Sequence, residues 1–238
     1  MDKKQKQQEI VNMFDDIAST YDLANRVLSF GLDVAWRKKG CDIAFEHLGK
    51  DRVEKIVDVA TGTGDLLLHW RDRAKAKGVK IDNFIGIDPS VEMLKIARKK
   101  VDFATFLEGK AQELPIEDEG CEIISISYGI RNVVDRIEAL KEFYRALKPG
   151  GMVVILEFTK QEKQGIMERL ANFYLKKILP TIGGLVSKNY AAYKYLPNSI
   201  EEFLTTKMLI DELKSVGFKP RYSKSFSMGI STLIVVQK

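Results

Sequence analysis

The stretch Ile56–Asp65, IVDVATGTGD, sets one acid, Asp58, inside an apolar run, alternates Thr61, Gly62, Thr63 and Gly64, and closes on a second acid, Asp65. Gly62 and Gly64 let the backbone turn sharply and let a ligand come close to it. A loop that seats a diphosphate reads Gly-x-Gly-x-x-Gly and places the phosphates on a helix N-terminus. Here the final glycine is out of step, and acids at Asp58 and Asp65 would repel phosphate while suiting a ligand with cationic groups. Asp88 ends the next apolar run, where a carboxylate can accept from both hydroxyls of a ribose. Its other use is to cap the helix that starts at Pro89. A cationic nucleoside such as S-adenosylmethionine satisfies the loop and Asp88 together.

These residues need a scaffold, and the chain supplies a repeating one. Ile56–Val59 reads as a buried parallel strand, followed by a helix over Asp65–Lys77. Further strands are expected at Phe84–Asp88, Phe103–Glu108, Glu122–Ser127 and Met152–Glu157, with helices after Pro89 and over Asp135–Leu147. Alternation of this kind implies a doubly wound sheet with ligands beyond the carboxyl ends of its strands. Ser199–Val216 is expected as a helix with Ser199 as its N-cap, and Lys219–Phe226 and Gly229–Val236 as a closing hairpin with an antiparallel edge strand. The whole describes a Rossmann-like α/β fold of the class I methyltransferase kind, seven mostly parallel strands with an antiparallel C-terminal strand and helices on both faces. One domain spans 1–238, with residues 1–50 as an N-terminal helical lid and 161–198 as a helical insertion. In Tyr21–Lys39 the aromatics Tyr21, Phe30 and Trp36 either wall a pocket or bury ring area where the N-terminal segment docks.

Composition narrows the classes. The 238 residues are 45% hydrophobic and 30% charged, and the net charge of +5 comes from 38 basic and 33 acidic residues dispersed along the chain. That excess is too mild to argue for nucleic acid, though it is compatible with weak attraction to anionic membranes. Cys41 and Cys121 are isolated, with no Cys-x-x-Cys pair and no histidine beside them, so neither a metal site nor a disulfide framework is expected. The polar start and the lack of a long apolar run fit a cytoplasmic protein, at most peripheral at the inner face of the membrane. His47 and His69 fall in helices away from the motifs and read as structural.

Two long stretches, YDLANRVLSFGLDVAWR (Tyr21–Arg37) and RNVVDRIEALKEFYRALKPGG (Arg131–Gly151), closely resemble the two signatures of the UbiE/COQ5 quinone-biosynthesis C-methyltransferases. DVATGTGD is similar to that family's cofactor loop, and Ala191–Phe203 resembles its tail. The resemblance implies methyl transfer from S-adenosylmethionine to a ring carbon of a prenylated quinol, either demethylmenaquinol or a demethylated ubiquinol precursor. It assigns the cofactor contacts to Thr63, Asp88, Lys110-Ala111 and Ser127, beside Asp58, Thr61, Gly62 and Gly64 of the loop. Thr61 stands where glycine is common in the family, and Lys110 where Asn or Asp is usual. A quinol attacks through carbon best as its phenolate, so Arg131, permanently charged, is expected to hold the oxyanion, with Asn132 as an orienting donor. Tyr21, Asp22 and Asp135 are the candidates to take the proton, and Asp135 equally suits a helix cap. Phe173, Tyr174, Leu175, Ile178, Leu179, Ile182 and Leu185 either line a route for the prenyl tail or are ordinary core, and Lys176, Lys177 and Lys188 could meet lipid headgroups. A homodimer is compatible with all of this. Methylation of another small aromatic acceptor, and a non-catalytic assembly role, remain open alternatives.

Overall fold

The β-branched run that leads into the glycine loop lies at the centre of the molecule. In the computed structural model, which describes residues 2–161, 165–166, 173–187 and 189–238, strand β1 (Arg52–Val59) pairs on both sides with parallel neighbours. Those neighbours are β2 (Lys80–Asp88) and β4 (Cys121–Ser127); β3 (Thr105–Glu108) and β5 (Leu147–Phe158) extend the sheet outward. The full order is β3-β2-β1-β4-β5-β7-β6, with β6 at Lys219–Phe226 and β7 at Ser231–Gln237. β7 runs antiparallel to both β5 and β6. The antiparallel C-terminal strand is therefore interior, and β6 forms the edge, which corrects the expectation of an antiparallel edge strand. The burial patterns agree: β7 is covered along Ser231–Val236 and apolar from Leu233 to Val236, whereas β6 is exposed except at Tyr222 and Phe226, which are half-buried.

Helices cover both faces, which is why the central strands are apolar on both sides. On one face α6 (Arg136–Ala146) and α9 (Thr206–Val216) pack Leu140, Phe143, Leu209 and Leu213 against Val57, Val59, Ile124 and Ile126. On the other, α3 (Leu32–Leu48) and α4 (Asp65–Lys77) bring Phe45 and Trp70 onto Ile56 and Ile123. Of the first 50 residues, α3 thus belongs to the sheet's covering layer. The preceding helices α1 (Lys3–Ile17) and α2 (Tyr21–Leu28) lie over the carboxyl ends of the strands, where α1 packs on α5 (Val91–Lys100). The break between α2 and α3 is made by Phe30 and Gly31, both left-handed, with φ of 53° and 73°.

The helix expected at Ser199–Val216 is two helices. Tyr190–Glu202 (α8, after α7 at Leu179–Ser187) ends at Phe203, and α9 starts after Thr205, whose hydroxyl accepts from Met208 N–H at 3.3 Å. The interruption has a physical cause. Phe203 is buried in the core, and the Leu204 carbonyl accepts from Lys160 N–H at 2.9 Å, a bond that an uninterrupted helix would deny it. Ser199 is an interior residue of α8, and Glu201 and Glu202 sit at a helix C-terminus. The side chains of Leu175, Lys176, Leu179 and Leu185, and the whole of Lys188, lie outside the described residues.

Candidate functional site

Every strand that carries a predicted site residue delivers it to the same edge of the sheet. β1 is followed at once by Ala60 and β4 by Tyr128, non-glycine residues that both adopt left-handed backbone, with φ of 51° and 58°. Such conformations cost roughly 1–3 kcal/mol and concentrate at ligand sites. A Cβ on Gly129 would stand 2.6 Å from the Ala60 Cβ, so only glycine permits the two loops to approach.

Asp88, at the tip of β2, accepts from Gly62 N–H on one oxygen and from Ser90 N–H on the other, each at 2.8 Å. One lone pair on each oxygen remains for a ligand hydroxyl. Burial pushes its carboxyl up to about 6, against the pull of those two N–H groups. The capping role considered for Asp88 is filled by Ser90, whose hydroxyl accepts from Met93 N–H. Gly62, Asp88, Lys110, Ala111, Ser127 and Asn132 line one cavity, roofed by Ile10, Val11 and Phe14 of α1. That helix is tied down by polar bonds: the Gln7 side chain donates to the Asn132 carbonyl and accepts from Val134 N–H, and Asp15 accepts from the Ser90 hydroxyl.

Behind the glycine loop a second cavity is lined by Tyr21, Asp22, Asp58, Thr61, Gly62, Thr63 and Ser127, with Arg37 and Asp65. Asp58 is buried and accepts from the Thr61 and Ser125 hydroxyls, both at 2.7 Å. Burial pushes it up to about 6 although these hydroxyls and Arg37 oppose the shift. Thr63 donates to Asp22, which also pairs with Lys100 at 2.8 Å. Gly64 lines neither cavity; it has φ of 79° and precedes α4. Asp65 is not the free anion that its place in the motif suggests. Burial alone would raise its carboxyl, but Arg37, Lys100 and Arg26, at 3.0, 2.8 and 2.9 Å, hold it well below the usual range.

The third cavity, of about 330 Å³, is predominantly apolar: Met13, Phe14, Ile17, Leu28, Trp36, Phe158, Tyr174, Tyr193 and Leu196 contribute to its wall. Arg131 reaches it from the single 3₁₀ turn Ile130–Asn132. Its guanidinium pairs with the fully buried Glu157 at 2.5 Å, donates to the Tyr128 carbonyl at 3.0 Å and donates from Nε to Ser199 Oγ at 3.2 Å. Asn132, one residue on, faces the first cavity instead; its side chain accepts from the Tyr195 hydroxyl at 3.0 Å. Asp22 lies at the second cavity, and Asp135 is on the surface paired with Lys3, with no capping bond to the helix it precedes. Tyr21 alone among the proton-acceptor candidates borders all three cavities, and burial raises its phenol.

The residues present fit a bound adenosyl cofactor. Ser127 Oγ is buried beside the first two cavities with no hydrogen-bond partner among the described residues, which leaves an uncompensated polar group that a ligand satisfies. Glu157 and Arg37 were visible in the sequence only as an acid ending a strand and as half of a Trp-Arg pair. His69 is half-buried in α4, with both ring nitrogens covered and unpartnered among the described residues, and lines none of the three cavities. Among the described residues no cluster suits a metal ion, and no helix is long and apolar enough to cross a membrane.

The chain is 52% identical over 235 residues to the ubiquinone/menaquinone biosynthesis C-methyltransferase UbiE of Campylobacter jejuni, covering 98% of this chain and 99% of that one. It is 42% identical over 229 residues to the demethylmenaquinone methyltransferase of Chlorobaculum tepidum, covering 96% and 92%. In fold it is similar to a methyltransferase of Thermotoga maritima described as a possible histamine N-methyltransferase, with a TM-score of 0.62, 21% identity and 95% and 99% coverage. It is also similar to a protein described as the putative methyltransferase in a complex with the Haloferax volcanii Trm112 methyltransferase activator, with a TM-score of 0.63, 18% identity and 94% and 96% coverage. A profile of the ubiE/COQ5 methyltransferase family matches residues 2–238, and the chain belongs to that family.

Proposed function

We propose that this protein transfers a methyl group from S-adenosylmethionine to a ring carbon of a prenylated quinol, with demethylmenaquinol as the first acceptor to test and the ubiquinol precursor as the second. The observation that carries the reading is the meeting of two chemically different cavities at Tyr21 and Tyr128. One is built for a nucleoside around Asp88; the other is apolar, opens beside Arg131 and suits a ring with a hydrocarbon tail.

Asp88 would hold the ribose, the Lys110-Ala111 segment would flank the adenine, and Ser127 with the Asp58–Thr63 loop would receive the remainder. When bound, S-adenosylmethionine supplies an electrophilic methyl on a sulfonium. Arg131 then acts by charge: in an apolar cavity its guanidinium favours the quinolate over the quinol, and Glu157 and Ser199 keep it in one orientation. Tyr21 stands between the two sites and is the candidate to relay the ring proton. Asn132 orders the turn through the Tyr128 carbonyl, at 3.4 Å, and through Tyr195. α1 and α2 form the lid.

The tail must come from a bilayer, and α2 offers a surface for it. Ala24 and Leu28 face inward while Leu23 and Val27, with Phe30 and Leu32 just beyond, are exposed, Phe30 to 77%. Phe30 and Leu32 also line the acceptor cavity. Peripheral contact of this rim with the membrane accounts for the exposed apolar surface. Incubating the purified protein with S-adenosylmethionine and each demethylated quinol, with mass spectrometry of the quinone fraction, tests the function. Methylation of neither quinol would refute it.

A further inference from the structure

We propose that Arg37 binds the α-carboxylate of the methyl donor's amino-acid end. The proposal rests on the reading of the glycine loop as the seat of S-adenosylmethionine and adds a recognition element to it. Around Asp65 the protein gathers three cations, Arg26, Arg37 and Lys100, and three carboxylates, Asp22, Asp33 and Asp65. Two of the cations each bridge two carboxylates. Lys100 donates to Asp22 and Asp65, each at 2.8 Å, and reaches Thr63 Oγ1 at 3.5 Å. Arg26 divides its terminal nitrogens between Asp33 at 2.6 Å and Asp65 at 2.9 Å.

Arg37 differs from both. Its side chain is 7% exposed, yet among the described residues only Nη1 makes a hydrogen bond, to Asp65 at 3.0 Å. Nε lies 3.8 Å from Asp33 and has no hydrogen-bond partner among the described residues. It is also the one cation of the three that lines the cavity behind the glycine loop. A buried guanidinium with unused donors is costly, and its planar fork matches a carboxylate in a way an ammonium does not. The same cavity holds Asp58, whose carboxylate provides for a positive group. One wall that takes an anion and one that takes a cation suit the two ends of a zwitterionic amino acid, which a nucleoside without that part lacks.

The test is calorimetric titration of wild type, Arg37→Met and Arg37→Lys with S-adenosylmethionine, its decarboxylated form and 5′-methylthioadenosine. Wild type is expected to prefer S-adenosylmethionine over the decarboxylated form by roughly 10- to 100-fold, the range of a charge-assisted contact. Arg37→Met is expected to reduce that preference to about threefold or less while 5′-methylthioadenosine affinity, which depends on the Asp88 end, holds. A preference retained in Arg37→Met, or absent from wild type, overturns the proposal. If Arg37→Met no longer binds 5′-methylthioadenosine, Arg37→Lys decides: the preference falls about tenfold with the fork lost, and an unchanged preference overturns the assignment. A wild type that binds none of the three overturns the cofactor seat itself, a failure distinct from that of Arg37.

Discussion

Acidification should weaken cofactor binding and strengthen the ligand-free fold, and both effects follow from two buried carboxyls. Asp88 and Asp58 are 6% and 2% exposed, and each is pushed from 3.8 to about 6. The sign is fixed by linkage: a carboxyl raised in the folded state stabilises it fully below the unfolded value of 3.8, and that contribution is lost as pH rises through about 6. Between pH 5 and pH 7 the ligand-free protein should therefore lose roughly 1.3 kcal/mol of stability per carboxyl, about 2.6 kcal/mol in all. Ribose hydroxyls and a cationic ligand both favour the ionised forms, so binding lowers the two pKa values and releases protons. Affinity should rise about tenfold per carboxyl between pH 5 and pH 7 and level off above. Calorimetry at several pH values in buffers of different ionisation enthalpy reads both the affinity and the proton release. Asp88→Asn should weaken binding throughout and remove one proton's share of the pH dependence. A dissociation constant that stays flat between pH 5 and pH 7 would refute the assignment of these acids to the ligand.

Arg131→Gln is expected to keep S-adenosylmethionine affinity within about threefold and to lower kcat by roughly 10²–10³, the loss typical of one oxyanion donor; unchanged turnover would remove Arg131 from the mechanism. Glu157→Gln leaves the Arg131 charge buried without its counter-ion and should destabilise the protein by about 3 kcal/mol in urea unfolding, as breaking a buried pair does. Leu23→Ser with Val27→Ser should reduce retention on sedimented anionic vesicles several-fold while leaving activity on a short-tailed soluble quinol intact, because neither residue lines the acceptor cavity. Phe143→Ala, at a ring with no solvent exposure between α6 and the sheet, should cost about 3–5 kcal/mol by the same unfolding assay.

What the sequence made legible was whatever is encoded by neighbours in the chain. The run Ile56–Val59 announces a buried strand, the alternating glycines announce a loop, and Asp88 at the end of its run announces a carboxylate at the tip of the next strand. Charge is a different matter, because its partners come from anywhere. Asp65 reads as a free acid beside the loop, but its surroundings are Arg26 and Arg37, 39 and 28 residues before it, and Lys100, 35 residues after. The acid that looked poised for a cation is the hub of an ion network that fastens helix α2 to α4 and α5. Fine geometry was equally hidden: the 3₁₀ turn sends Arg131 and Asn132 to different cavities, although adjacent residues in one motif suggest a shared task. The misplaced helix start at Ser199 has the same origin. Its local signal, a serine followed by two glutamates, is a proper N-terminal pattern, and it was overridden by the burial of Phe203 and by the pairing of Leu204 with Lys160. Local chemistry therefore identified the glycine loop and its strand, while the arrangement around it is set by contacts between segments far apart in the chain. That arrangement puts the cavity around Asp88 and the apolar cavity beside Arg131 on either side of Tyr21, and under the proposed function it is why substitutions at Asp88 and at Arg131 should separate binding from turnover.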